Sequence, residues 1–261
     1  APGGEGLVQL VLEKPIAAAS GDRFVIRDTS AQRTVGGGML LDLRAPSRRR
    51  RTPERFVQLA ARRSQAPQAV LAALLEVPPL NVDLDAFRRD FALTQAQVDG
   101  MAQALDLVTL RAQDRTVAFS RATLQSLQDG IAGILRAFHI ENPEFAGIGF
   151  ERLRTQVTPR LPAPIFTALL RALTASGAVA LDGPWVKLPG HEVRLTPRDE
   201  IMWEETEPLL GGTERFRPPR VRDIAAVIDE RETEVRRFLK LLSRLGRVDE
   251  VAHDHFFLRE T

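Results

Sequence analysis

The chain has 261 residues, 44% hydrophobic and 27% charged, which is the composition of an ordinary globular protein and excludes a disordered tail. It contains no cysteine, so disulfide frameworks, cysteine-based zinc sites and thiol nucleophiles are excluded. Its formal net charge is only +2, carried overwhelmingly by arginine, since Lys14, Lys187 and Lys240 are the only lysines. No apolar run approaches the roughly 18 residues needed to span a bilayer, and no signal peptide is legible at Ala1-Pro2-Gly3-Gly4, a start that reads as the middle of something longer.

Residues 6–43 read as strands. Leu7–Leu12 is bounded by Gly6 and Pro15; Phe24–Ile26 follows a Gly21-Asp22 turn signal; Thr34-Val35 leads through Gly36-Gly37-Gly38 to Met39–Leu41. Three short strands make a meander but no core of their own, so the expectation is the last part of a barrel. The triple glycine lacks the strand–loop–helix context of a phosphate cradle and is read as a bulge or a close backbone approach.

From Pro53 onward helical periodicity takes over and repeats. Helices over Val98–Leu105, Ile165–Leu173 and Val235–Leu242 are each followed by a hairpin, opening at Val108, Val179 and Val248. That spacing of about 70 residues is one small domain per repeat. Shorter helices centre on Leu84–Phe91, Phe150–Leu153 and Val221–Ile228, each with a longer helix upstream. Three helices followed by a β-hairpin form the winged-helix version of the helix-turn-helix. The expected fold class is therefore mainly α with β: tandem winged helices behind the last strands of a β-barrel. The expected spans are 1–45 for the barrel ending, then 46–120, 121–191 and 192–261 for three winged helices.

The third helices differ in what they offer a partner. In the last repeat Val235, Phe238, Leu239, Leu242 and Leu245 make the core stripe. Arg236, Lys240 and Arg244 follow at i+4 on the other side, with Arg237 and Arg247 close by, which is the footprint expected of a phosphate-binding face. The alternative is a solvated face whose cations pair with Glu232 and Glu234. The first repeat carries Gln95, Asp99, Gln103 and Asp106 on the corresponding face, and the second only Arg171, so at most one repeat is expected to read nucleic acid in this way. Arg48, Arg49, Arg50 and Arg51 lie between barrel and first helix, either as a solvated linker or as a backbone contact driven by counterion release.

Catalytic signals are weak. No phosphate-loop pattern occurs and none of the three lysines follows a glycine. His253 and His255 alternate along the last hairpin without a third metal ligand, and His139 and His191 stand apart in the sequence.

Residues 15–42 carry a resemblance. Pro15-Ile16-Ala17, Gly21–Asp28 and Arg33–Gly38 resemble the end of the third domain of elongation factor Tu-type GTPases. The triple-glycine form running to Leu41-Asp42 is similar to the selenocysteine-specific elongation factors of the SelB family. Gly147–Arg154 and Val186–His191 resemble the second winged helix of that family. The resemblance implies a fragment of a factor that delivers selenocysteinyl-tRNA to the ribosome at UGA codons, beside an mRNA hairpin. It further implies a cytoplasmic monomer with no membrane partner. GTP and magnesium would belong to a GTPase domain upstream, so no cofactor and no enzymatic activity are expected of this stretch. The hairpin would be read chiefly by a fourth winged helix beyond Thr261. The tRNA-facing loop of the family falls on residues 27–33, giving Arg27, Ser30, Gln32 and Arg33 as RNA candidates beside Arg48–Arg51 and Arg236, Arg237, Lys240 and Arg244. The rival reading is a tandem winged-helix transcription regulator whose third recognition helix enters a DNA major groove.

Overall fold

The structure is a computed structural model and describes residues 3–48, 50–212 and 216–259. Two antiparallel strands open the chain, β1 (Arg23–Arg27) and β2 (Thr34–Met39). They are the only strands among the described residues of the first 45, so the three-strand expectation is corrected. Leu7–Leu12 is not a strand; it pairs with nothing, and its large side chains stand 40–85% exposed. An extended run becomes a strand only when a neighbour takes its N–H and C=O groups, and periodicity alone does not supply one.

The triple glycine lies inside β2, where the close approach read from the sequence is present. A Cβ on Gly37 would sit 2.7 Å from the Phe24 carbonyl oxygen. The register slips between Ile26 and Arg27, leaving Val35 as the extra residue.

Helices follow in a repeating order. The first module has α1 (Pro53–Ala61), α2 (Pro67–Leu75), the two-residue β3 (Val82–Asp83), α3 (Leu84–Asp90), α4 (Gln95–Ala104), β4 (Val108–Ala112) and β5 (Arg115–Phe119). The second has α5 (Arg121–Glu141), β6 (Ile148–Gly149), α6 (Phe150–Gln156), α7 (Ala163–Ala175), β7 (Ala180–Asp182) and β8 (Trp185–Lys187). The third has α8 (Pro197–Leu210), α9 (Val221–Val227), α10 (Glu232–Arg244), β9 (Val248–Ala252) and β10 (His255–Leu258). Helix starts are set locally: Thr52, Thr94 and Thr196 accept from the backbone N–H of the third helical residue, and Pro stands at the first helical position of α1, α2 and α8.

The sheets obey one rule. Taking the three helices nearest each hairpin (α2, α3 and α4 in the first module, which has α1 in addition), the short strand before the second helix pairs with the last strand in the first two modules, giving the orders β3-β5-β4 and β6-β8-β7. The third module has only β10-β9. Its second helix begins at Val221, so the position of the missing strand holds Pro219 and Arg220, preceded by Pro218. Proline has no N–H for a ladder, and among the described residues only the Val221 N–H bonds across, to the Asp254 carbonyl, 3.3 Å away.

Two compact units result. One comprises residues 1–131 and 154–178, the other 132–153 and 179–261. The first contains a core of Val70, Leu71, Leu75, Leu84, Phe87 and Val98. The second contains Met202, Val221, Ile224, Val235, Phe238, Leu242, Val248 and Phe256, all under 4% exposed. Of the five-residue stripe read from the sequence, Val235, Phe238, Leu239 and Leu242 are fully buried, and Leu245, the C-cap of α10, is partly buried against them.

Candidate nucleic-acid interface

Three places carry the candidate residues. The first is the loop between β1 and β2, wound around Asp28. One carboxylate oxygen accepts from Ser30 Oγ and the Gln32 N–H, each at 3.0 Å, and from the Arg33 N–H at 3.3 Å. The Asp28 backbone accepts from the Ala31 N–H and donates to the Arg33 carbonyl, both at 3.0 Å. The Arg33 N–H, then Ser30 and Gln32, hold the Asp28 carboxyl below the usual carboxylate range against a modest burial cost. Ala31 sits at φ +56°, the left-handed conformation this turn demands. Arg27 Nη1 donates to the Ala31 carbonyl at 3.2 Å. Arg27 and Ser30 therefore brace the loop, while the exposed Gln32 and Arg33 side chains extend from it.

The second is the arginine linker. Arg50 Nε folds back on the Ser47 carbonyl at 3.0 Å, and Arg48 and Arg51 are exposed. Arg49 lies outside the described residues.

The third is α10. At 3.6 residues per turn, Arg236, Arg237, Lys240 and Arg244 fall within about 100° of arc, and Arg247 follows past the end of the helix, after the left-handed Gly246. Their surroundings divide them. Arg236 pairs with Glu232 at 2.5 Å and with Asp254. Arg237 pairs with Glu234 at 3.2 Å and with Asp199 at 2.7 Å. Burial works against the Arg237 charge, but the bonds from Asp199 and Glu234 outweigh it and raise its pKa. The pairing with Glu232 and Glu234 weighed from the sequence is thus present at the N-terminal half, reinforced by Asp254 and Asp199, which no local signal indicated. Lys240 and Arg244 are exposed and engage no partner among the described residues. Arg247 lies 5.6 Å from the centroid of the Trp203 ring. The available positive charge therefore sits on the C-terminal half of α10, and the N-terminal half carries Glu232 and Glu234.

The first module presents the opposite sign. Gln95, Asp99, Gln103 and Asp106 of the recognition position line one cavity of about 300 Å³ with Asp85, Thr109 and Thr116.

The histidines are arranged otherwise than the sequence suggested. His253 and His255 flank the last turn, where His255 Nδ1 lies 3.0 Å from the His253 carbonyl. His139 and His191, isolated in the sequence, stack at 3.5 Å between centroids. Residues so far apart in the chain leave no local signature of their contact. Burial, then His191, then Lys187 push the His139 pKa down to about 4.

Two stretches of the chain are similar to known protein families. Residues 3–47 match the family model described as the β-barrel domain of the selenocysteine-specific elongation factor, and residues 133–188 match that described as the winged helix of elongation factor SelB. Two stretches of the chain thus match domain models of one family. The selenocysteine-specific elongation factor of Escherichia coli K12 is 27% identical over 254 residues, covering 97% of this chain and 40% of that protein. That of Haemophilus influenzae Rd is 24% identical over 259 residues, covering 98% of this chain and 40% of that protein. This SelB-like stretch thus spans about two fifths of the length of both relatives. A crystal structure of a bacterial selenocysteine-specific elongation factor EF-Sec aligns over 93% of this chain and 36% of its own at 15% identity, with a TM-score of 0.44. No helix among the described residues is long and apolar enough to cross a membrane.

Proposed function

We propose that this chain is the RNA-handling part of a SelB factor that brings selenocysteinyl-tRNA to the ribosome at UGA codons marked by an mRNA hairpin. The loop at residues 27–33 meets the acceptor–T-stem arm of the tRNA, with Gln32 and Arg33 making the contacts and Arg27, Ser30 and Asp28 holding its shape. Arg48–Arg51 add counterion release along the same backbone. GTP and magnesium act in another part of the factor, and this stretch performs no chemistry itself. The factor works in the cytoplasm as a monomer, with module boundaries near residues 45, 120 and 191.

The third winged helix meets RNA through phosphates. The observation that carries this is the division of charge on α10. A helix that reads a DNA major groove does so with its N-terminal residues; here those are Glu232 and Glu234, and the arginines beside them are committed to carboxylates. Lys240, Arg244 and Arg247, on the C-terminal half and just past it, suit backbone contact from the side. This favours an RNA backbone over the DNA-regulator reading.

The test is anisotropy of labelled tRNA, mRNA hairpin and duplex DNA against the chain across a salt series. RNA binding that is weak, present at low ionic strength and steeply salt-dependent is the expected result. Preferential binding of duplex DNA overturns the reading, and no RNA affinity at low salt would make the modules spacers. Lys240→Gln with Arg244→Gln should lower the slope of log K against log salt by roughly 1.4–1.8.

A further inference from the structure

The root of the β1–β2 hairpin is fastened to the first winged helix on two sides. Asp90, the last residue of α3, is 4% exposed. Its carboxylate accepts from Arg44 Nε at 2.9 Å, and its backbone carbonyl accepts from the Ser20 N–H at 2.6 Å. Ser20 Oγ in turn donates to the Leu41 carbonyl at 3.1 Å, tying both ends of the hairpin root together. On the other side Asp42, whose side chain is 7% exposed, pairs with Arg55 of α1. Its second oxygen accepts from the Arg44 N–H at 2.9 Å. Gln58 of α1 carries the connection on, donating to the Pro78 carbonyl at 2.6 Å ahead of β3. Arg44 therefore spans both anchors, its backbone on Asp42 and its guanidinium on Asp90.

We propose that Asp42 and Asp90 are coupling residues that lock the hairpin to the first winged helix, so that a load on the loop at residues 27–33 moves both as one lever. Three properties support the lock. The Asp42 and Asp90 carboxylates are removed from water, where ion pairs are little screened by salt. Separating them from their arginines would strand buried charge, which is strongly disfavoured. The apolar contact across this joint is slight, since no residue of α1 is buried and the hairpin is exposed along most of its length. Polar anchors therefore dominate the connection. The proposal takes only the identity of the load from the RNA reading; the lock stands or falls without it.

The absence of cysteine allows a direct measurement on the whole chain. Spin labels at Gln32→Cys and Gln103→Cys report the distance between the loop and α4. In the otherwise unchanged chain a single narrow distance distribution is expected; with Asp42→Asn and Asp90→Asn together it should broaden at least twofold. Hydrogen exchange of α4 should meanwhile stay within a factor of three, as it should for the exposed control Asp114→Asn. If the double variant fails to fold, Arg44→Gln with Arg55→Gln serves the same comparison. A distribution already broad in the unchanged chain overturns the proposal, as does one that stays narrow in the variants. Loss of α4 protection in step with the broadening in both double variants also overturns it, because the pairs would then serve the fold of the winged helix itself.

Discussion

Arg237 Nη2 stands 2.7 Å from Asp199 Oδ1, and this pair joins the middle of the third recognition helix to the first turn of α8. Asp199 is committed twice: its other oxygen accepts from Thr196 Oγ1 at 2.7 Å in the capping box that starts α8. With a side chain only 1% exposed, it cannot turn to water if either partner is lost. The third module thus couples the start of its first helix to the orientation of its third. Asp199→Ala removes the reciprocal half of the capping box and leaves Arg237 only Glu234, so about 1–2 kcal/mol of stability should be lost. Arg237→Gln leaves the cap intact but strands the buried Asp199 carboxylate, and should cost more, roughly 3 kcal/mol. Urea unfolding of each variant measures the difference; equal costs would contradict it.

The triple glycine should resist alanine unequally. At Gly37 a Cβ would meet the Phe24 carbonyl oxygen at 2.7 Å, and backbone cannot yield cheaply; at Gly38 it would meet the Phe24 ring at 2.8 Å, and the ring can turn. At Gly36 nothing lies within 4 Å. The expected order of destabilisation is Gly37→Ala, then Gly38→Ala, then Gly36→Ala, with the first costing roughly 1–3 kcal/mol, as overpacking typically does. Hydrogen exchange across residues 23–39 would read the order directly.

Acid should loosen the structure through His139. Its folded pKa of about 4 lies below the ordinary 6.5, so between those values the unfolded chain binds more protons than the folded one. Stability then rises with pH across that window and is flat above it for this residue. Falling pH should weaken the fold progressively from 6.5 toward 4, and His139→Gln should flatten that slope. Urea midpoints at several pH values check this, with an NMR titration of the ring as the direct measurement.

Asp28 should govern the loop at residues 27–33 without touching the tRNA proposed to bind there. Asp28→Ala deletes the acceptor for Ser30, Gln32 and Arg33, and the loop should lose amide protection while the β1–β2 register survives. Weaker tRNA binding with an unchanged salt slope is expected, since no cation is removed. Arg33→Gln should instead lower the slope. An identical effect of the two variants on the slope would contradict this division of roles.

Much of the architecture was legible in the sequence. Val108, Val179 and Val248 mark three hairpins because each recognition helix must end before its wing begins, and the apolar stripe of α10 is buried as its 3.6-residue period requires. The close approach at the triple glycine also followed from residue type. Partnership was not legible. Leu7–Leu12 has strand composition but no ladder, because pairing depends on a neighbour rather than on propensity. Local spacing placed Glu232 and Glu234 beside the basic arc of α10, but Asp199 lies 38 positions from Arg237 and entered only through folding. The stacking of His139 on His191 was hidden for the same reason.

The missing strand of the third module bears on mechanics. In the first two modules the wing is laced to the approach of the second helix by a two-residue ladder, as between Val82-Asp83 and Val117-Ala118. In the third, prolines occupy that approach, and the Val221–Asp254 bond is the one backbone tie between them among the described residues. Side chains take over the tie: Arg236 pairs with Asp254 in the wing turn, so this joint depends on an ion pair where the first two modules rely on backbone bonds. The proline pair at 218–219 thereby exchanges a backbone ladder for a side-chain latch.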